Sequence, residues 1–165
     1  MSMYPEIDDK LMDLEEAVSR FIKDGCQLAI GGFTIVRNPM AIAYEIIRKG
    51  IRDIHLVCHS HGQALDVLLG AGCVKRLEIA YGGNGRYAPT CIRFKKAIQQ
   101  GELEFEDYSN YQMTLRFLAG ALGMSFISTK SGLGSDLLNF EGFSKETRTQ
   151  EKVANKKFAI MQNPF

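Results

Sequence analysis

The stretch HLVCHSH, residues 55 to 61, gathers His55, Cys58, His59 and His61, imidazole and thiol groups that a zinc ion accepts. His55 and Cys58 lie an odd number of residues apart on a run that reads as a strand, so they face opposite sides of it. No second ligand pair occurs elsewhere in the chain. The reading is a strand end that carries polar groups into a cleft, with no metal site. A second candidate is IGGFTIVRNPMA, residues 30 to 41, where an apolar run from Cys26 to Ile30 stops at Gly31 and Gly32. Asn38 and Pro39 follow and read as the N-cap and first residue of a helix. Strand, glycine turn and helix in that order leave main-chain N–H groups at a strand's carboxyl end, beside a helix N-terminus that favours anions. Without a Cβ, Gly31 and Gly32 let a ligand or a neighbouring chain come close. The same turn also serves many α/β proteins as a plain connection.

Two further glycine turns invite a nucleotide reading and do not support it. YGGNGRY, holding Tyr81, Gly82, Gly83 and Asn84, lacks the G-x-G-x-x-G spacing and the first-crossover position that a dinucleotide site needs. KSGLGSD, holding Ser131, Gly132 and Gly134, has no lysine after its glycines, as a triphosphate loop requires. There is no G-x-S-x-G elbow for a serine nucleophile. Glu102, Glu104 and Glu106 alternate along LEFEDY and read as the solvent face of a strand, and no carboxylate of the chain is assigned as a nucleophile.

Positioning these turns requires alternating strands and helices. Leu11, Leu14, Val18, Phe21 and Ile22 share one helical face that ends at Gly25. A strand over 26–30 precedes a helix from Met40 closed by Gly50. Strands are expected over 53–58, 75–83, 103–108 and 125–129, and helices over 63–72, from Pro89 to Gly101, and over 110–122. This alternation predicts an open, mainly parallel α/β sheet with helices on both faces, whose ligands sit outside the carboxyl ends of its strands. From Ser144 onward the chain is charged and reads as a surface excursion.

The 165 residues suffice for one domain, or for a piece of a larger one. A net charge of +1 with interspersed signs leaves no footprint for nucleic acid or an anionic membrane. No apolar run is long enough to span a bilayer, and the N-terminus has no secretory pattern. Cys26, Cys58, Cys73 and Cys91 lack framework spacing, which fits a reduced, cytoplasmic protein.

DGCQLAIGGFTIVRNP, EIIRKGIRDIHLV, LLGAGCVKRL, FKKAIQQGELEFEDYSNYQM, ALGMSFI, GFSKETR and KKFAIMQNPF occur in order, and together they resemble the A subunits of family I coenzyme A-transferases of the glutaconate type. The resemblance implies two homologous kinds of subunit, the A type and the B type. A glutamate of the B type attacks the acyl-CoA thioester and carries coenzyme A as a glutamyl thioester before the acceptor carboxylate takes it. Its S-E-N-G signature is missing here, so catalysis requires a B partner, with coenzyme A as a substrate and no permanently bound cofactor. The resemblance places Gly31, Gly32, Phe33, Arg37, Tyr81, Gly82, Gly83 and Asn84 around the shared cleft, together with Ser131, Gly132 and Gly134. Arg37 either pairs a substrate carboxylate or bridges to the partner. Gly85 stands where the pattern has a serine. Family A subunits continue beyond NPF, so residues 1–165 read as one α/β domain, an incomplete N-terminal portion. SGLGSD is also similar to the steroid ring-opening hydrolases of the superfamily, which makes a hydrolase component the alternative, and a noncatalytic module of the same fold a second one.

Overall fold

The computed structural model describes residues 11–140, 142, 148–153 and 156–165. Its centre is a four-stranded, fully parallel sheet in the order β1-β2-β4-β6, formed by β1 (Gln27–Ala29), β2 (Ile54–Val57), β4 (Val74–Ile79) and β6 (Glu104–Asp107). The register runs Ala29 to Val57, Val57 to Glu78 and Glu78 to Glu106. Alternation along each strand builds two cores. Ile54, Leu56, Leu77 and Ile79 pack with Val18 of α1 (Leu14–Phe21), Ala43 and Ile46 of α2 (Met40–Lys49) and Leu65 and Leu68 of α3 (Gln63–Gly70). Phe94 and Ala97 of α4 (Ile92–Gln100) border the same core. On the opposite face Val57 packs with Tyr108, with Met113 of α5 (Asn110–Ala121), and with Ala159 and Met161. Helices therefore cover both faces, as the alternation predicts.

Local signals account for most element ends. Asp13 caps α1 by accepting from the Glu16 N–H at 2.8 Å, and α2 and α4 close on the left-handed glycines Gly50 and Gly101. Ser109 and Gln112 form a reciprocal capping box at the start of α5. No helix among the described residues is long and apolar enough to cross a membrane.

Several expectations need correction. Pro39, not Asn38, is the N-cap of α2, without a side-chain bond. The Asn38 amide is used in tertiary contacts instead: Nδ2 donates to the Thr34 carbonyl at 2.8 Å, and Oδ1 accepts from the Ala64 N–H at 3.2 Å. Pro89 does not open α4, which starts at Ile92. Its first N–H groups are met by Asp66 of α3, which accepts from Arg93 and Phe94 at 2.7 and 3.2 Å. Glu106 is buried, not solvent-facing, because Gly142 packs directly on its carboxylate. Finally, part of the charged excursion is sheet: β8 (Arg148–Val153) and β7 (Phe126–Thr129) pair antiparallel on either side of β9 (Lys156–Gln162). Residues 143–147, most of the GFSKETR segment, lie outside the described residues.

Candidate functional site

The turns that follow β1, β2 and β4 meet beyond the carboxyl edge of the sheet. A short parallel ribbon joins them, β3 (Ser60–His61) pairing with β5 (Tyr81–Gly82), and Thr34 bridges to His61 on the other side. The stretch 75–83 is thus not one strand, because the chain breaks at Ala80 and re-pairs one layer out. The ribbon sets Gly31–Phe33 and Tyr81–Asn84 on either side of His61.

Within the first turn, Phe33 and Val36 exchange main-chain bonds of 2.8 and 2.7 Å, with Thr34 inside that loop and Arg37 just after it at positive φ, 49° and 58°. Such backbone persists only when its surroundings hold it. Here the Thr34 N–H donates to the Ser60 carbonyl at 2.9 Å and the Thr34 carbonyl accepts from Asn38. Gly32 has φ +115°, and a Cβ there would stand 2.8 Å from the Arg37 carbonyl oxygen, so its glycine is required by the turn itself. Gly31 differs. Nothing lies within 4 Å of its absent Cβ, and its carbonyl accepts from His61 Nε2 at 2.8 Å. Neither the Gly31 nor the Gly32 N–H has a hydrogen-bond partner among the described residues.

His61 is fully buried. A carbonyl only accepts, so Nε2 carries the hydrogen, and burial pushes the imidazole below its ordinary pKa despite the bond to Gly31. Its Nδ1 has no partner among the described residues. His59 is half-buried two residues earlier. Its Nε2 donates to the Asn110 carbonyl at 2.9 Å, and its ring lies 6.2 Å from that of Phe33. Phe33 is 46% exposed, and Arg37 is exposed with no carboxylate partner among the described residues.

In the second turn the glycines have packing reasons. Gly82 lies against the Phe94 ring, and Gly83 against the Pro89 carbonyl and the Tyr81 hydroxyl; that hydroxyl donates to the Pro89 carbonyl at 2.7 Å. Asn84 is packed beside Gly62, with Oδ1 buried and unpartnered among the described residues. Ser131, Gly132 and Gly134 are not brought into this group. They form the turn after β7, where Gln112 of α5 reaches the Ser131 carbonyl and closes over Gly132. Through α5 they are linked to the cleft, since Asn110 in the same helical turn bonds Ser60 at 3.0 Å and His59.

His55 and Cys58 do face opposite sides of β2: Cys58 enters the core, and His55 bonds Glu78 at 2.8 Å. Among the described residues no group of three or more His, Cys, Asp and Glu side chains is arranged to hold a metal. The Cys58 thiol is pushed up by burial, and that of Cys91 to about 12, so neither is a ready nucleophile.

Sequence reasoning did not find the buried ion cluster beneath the site. Arg116 of α5, 1% exposed, pairs with Glu78, lies 4.3 Å over the Tyr108 ring and donates from Nε to the Gln162 carbonyl at 2.9 Å. Burial alone would raise the Glu78 carboxyl; the bonds from His55 and Arg116 outweigh it and hold the carboxyl below the usual range. The cluster ties the parallel sheet, α5 and the antiparallel sheet into one support for the cleft. Partners in three separate segments left no local signal for it.

A family model described as coenzyme A transferase matches residues 11–163. The A subunit of glutaconate CoA-transferase of Acidaminococcus fermentans is 37% identical over 157 residues, covering 94% of this chain and 49% of the relative. The A subunit of 3-oxoadipate CoA-transferase of Pseudomonas knackmussii is 37% identical over 131 residues, covering 78% of this chain and 46% of the relative. The solved structure of glutaconate coenzyme A-transferase from Acidaminococcus fermentans superposes with a TM-score of 0.87 at 30% identity, over 94% of this chain and 54% of that one. The chain spans about half the length of the curated relatives it matches.

Proposed function

We propose, for a chain that belongs to the coenzyme A transferase family, that it forms the cleft-building part of an A subunit that moves coenzyme A between carboxylic acids. The nucleophilic glutamate comes from a partner B subunit. Coenzyme A is a substrate and not a resident group, and the compartment is the cytoplasm. The observation that carries this reading is the pair of unpartnered N–H groups at Gly31 and Gly32, held at the strand edge by His61.

A carboxylate attacks a thioester poorly unless the developing oxyanion is met by fixed donors in a place that excludes water. Gly31 and Gly32 are placed to donate to that oxygen, with Phe33 as an apolar wall and the Asn84 amide as a second polar contact near the carbonyl. The partner glutamate forms an acyl anhydride and expels the coenzyme A thiolate. The thiolate then attacks the glutamyl carbonyl, releasing the first acid as its carboxylate and leaving a glutamyl thioester. The acceptor carboxylate repeats the two steps in reverse order and leaves with coenzyme A. No net proton is consumed, so the transfer asks for no paired acid and base from this chain.

Glutaconate and 3-oxoadipate, named for the relatives, are both dicarboxylates. An exposed Arg37 guanidinium without an acidic partner among the described residues suits a second carboxylate, and we assign it that role. Tyr81, Gly82 and Gly83 shape the wall that carries Asn84, whereas Ser131, Gly132 and Gly134, packed on Gln112 of α5, are given no contact with the substrate. The test is co-purification of the full-length protein with a B-type subunit, followed by incubation with acyl-CoA and an isotope-labelled dicarboxylate. Transfer of coenzyme A to the labelled acid supports the reading. Release of a ring-opened or free acid without any acceptor would replace transferase with hydrolase, and a complex without either activity would leave a binding module.

A further inference from the structure

Beside the glycine turn, residues 34–38 form a loop whose backbone needs outside support. Thr34 and Arg37 take φ values of 49° and 58°, which are rare for a β-branched residue and uncommon for an arginine. Such values persist only where the surroundings hold them. Asn38 holds the loop from two sides. Its Nδ2 donates to the Thr34 carbonyl at 2.8 Å and closes the loop on itself, while its Oδ1 accepts from the Ala64 N–H at 3.2 Å. The second contact lands in the first turn of α3, whose N-cap, Gly62, has no side chain to offer. Gly62 also makes room for the loop, since a Cβ there would stand 2.5 Å from the Thr34 carbonyl oxygen. One neutral amide therefore ties the loop after β1 to the helix after β3.

Arg37 lies inside this loop. Its side chain is exposed and makes no ion pair or hydrogen bond among the described residues, so the direction of its guanidinium follows from its main chain. We propose that Asn38 is the positioning residue for Arg37: by closing residues 34–38 it aims the guanidinium at the second carboxylate of a dicarboxylate, and so sets the preference for two carboxylates over one. The inference rests on the carboxylate role assigned to Arg37 above. A guanidinium held in place loses less freedom when it binds, and the bond it makes is correspondingly tighter. An amide suits the task. A carboxylate at position 38 would accept from Ala64 equally well, but it would lack the donor for Thr34 and draw the guanidinium to itself.

The experiment is an NMR titration of the chain with glutarate and with butyrate, which differ only in the second carboxylate. In the wild type, glutarate binds about tenfold more tightly than butyrate and shifts the Arg37 Nε–H signal, which butyrate leaves in place. Arg37→Met abolishes the preference. Asn38→Ala lowers it by about fivefold and leaves the affinity for butyrate unchanged. Because coupling is reciprocal, glutarate also slows solvent exchange of the Asn38 Nδ2 protons in the wild type, and butyrate does not. That readout needs no variant, and an amide with a purely structural role would not show it. Asn38→Ala that weakens both ligands alike, or exchange at Asn38 indifferent to glutarate, would overturn the proposal. A preference lost in Arg37→Met and kept in Asn38→Ala would overturn it while leaving the role of Arg37 standing. A preference kept in Arg37→Met would retire the role of Arg37, and the proposal with it.

Discussion

His61 donates from Nε2 to the carbonyl oxygen of Gly31 at 2.8 Å, so a buried imidazole at the end of the second strand holds the turn that follows the first. The bond fixes the peptide plane between Gly31 and Gly32, and with it the direction of the Gly32 N–H. A neutral ring satisfies Gly31 with one donor and adds no charge beneath the cleft.

Burial of this imidazole, against which the bond to Gly31 works, makes stability pH-dependent in a predictable sense. The folded-state pKa of His61 lies below its ordinary 6.5, so below pH 6.5 the unfolded chain binds a proton that the folded chain resists. Stability from this group is complete above 6.5 and is lost as the pH falls toward the lowered folded value. The thermal midpoint of the wild type should drop across that window. In His61→Gln, which keeps a donor and cannot titrate, this part of the slope should vanish. An unchanged slope would show that His61 is not the group responsible.

Gly31 and Gly32 should separate function from folding. A Cβ at Gly31 meets no atom within 4 Å, so Gly31→Val should shift stability by no more than ~0.5 kcal/mol, as surface changes do, while it obstructs the cleft and suppresses turnover. Gly32→Ala forces a Cβ against the Arg37 carbonyl at φ +115° and should cost roughly 1–3 kcal/mol. Calorimetry beside turnover of the reconstituted enzyme checks both. If Gly31→Val retains full turnover, the turn is only a connection.

Removing one member of the buried ion cluster should be more damaging than removing an exposed pair. Arg116→Met leaves the Glu78 carboxylate without its guanidinium, and breaking such a buried pair costs about 3–5 kcal/mol. Glu78 has a depressed folded pKa. Its contribution is therefore present above the ordinary carboxylate value of 4.5 and disappears as the pH falls through the folded one. Urea titrations between neutral pH and about pH 3, below the ordinary carboxylate range, should show the acid loss in the wild type and a flatter profile in Glu78→Gln.

Asp66 should behave as a cap donated by a neighbouring helix. It accepts from both Arg93 and Phe94, so Asp66→Ala should cost ~0.5–2 kcal/mol, the range for a lost N-cap. Hydrogen exchange should then accelerate first in the opening turn of α4. Uniform acceleration throughout the chain would instead mark Asp66 as a general core contact.

Helix ends show how far local rules reach. Gly50 and Gly101 end their helices as left-handed caps because a local rule dictates it, and the strands alternate faces as their apolar residues do. The capping box of Ser109 and Gln112 is equally readable from spacing. Asn38 and Glu106 act otherwise than their local patterns suggest, and Asp66 carries no local signal at all. The partners of these three, Thr34 and Ala64, Gly142, and Arg93 and Phe94, are set by tertiary packing. The pairing of β8 with β9 is hidden by charge, although the inward alternation of Ala159 and Met161 is a signal for it. At the site, the glycine turn is visible as a turn. Its holder His61 and its neighbours His59 and Phe117 come from other elements and are joined to it only by the fold.

On the proposed function, this chain supplies the cleft while a partner supplies the nucleophile. Incubating the reconstituted complex with acyl-CoA, reducing with borohydride and mapping both chains by mass spectrometry tests it most directly. The expected result is coenzyme A bound as a reducible thioester to one glutamate of the B subunit, and no modified carboxylate in this chain. A modified glutamate in this chain, or modification of Asp136 beside the Ser131–Gly134 turn, would contradict it.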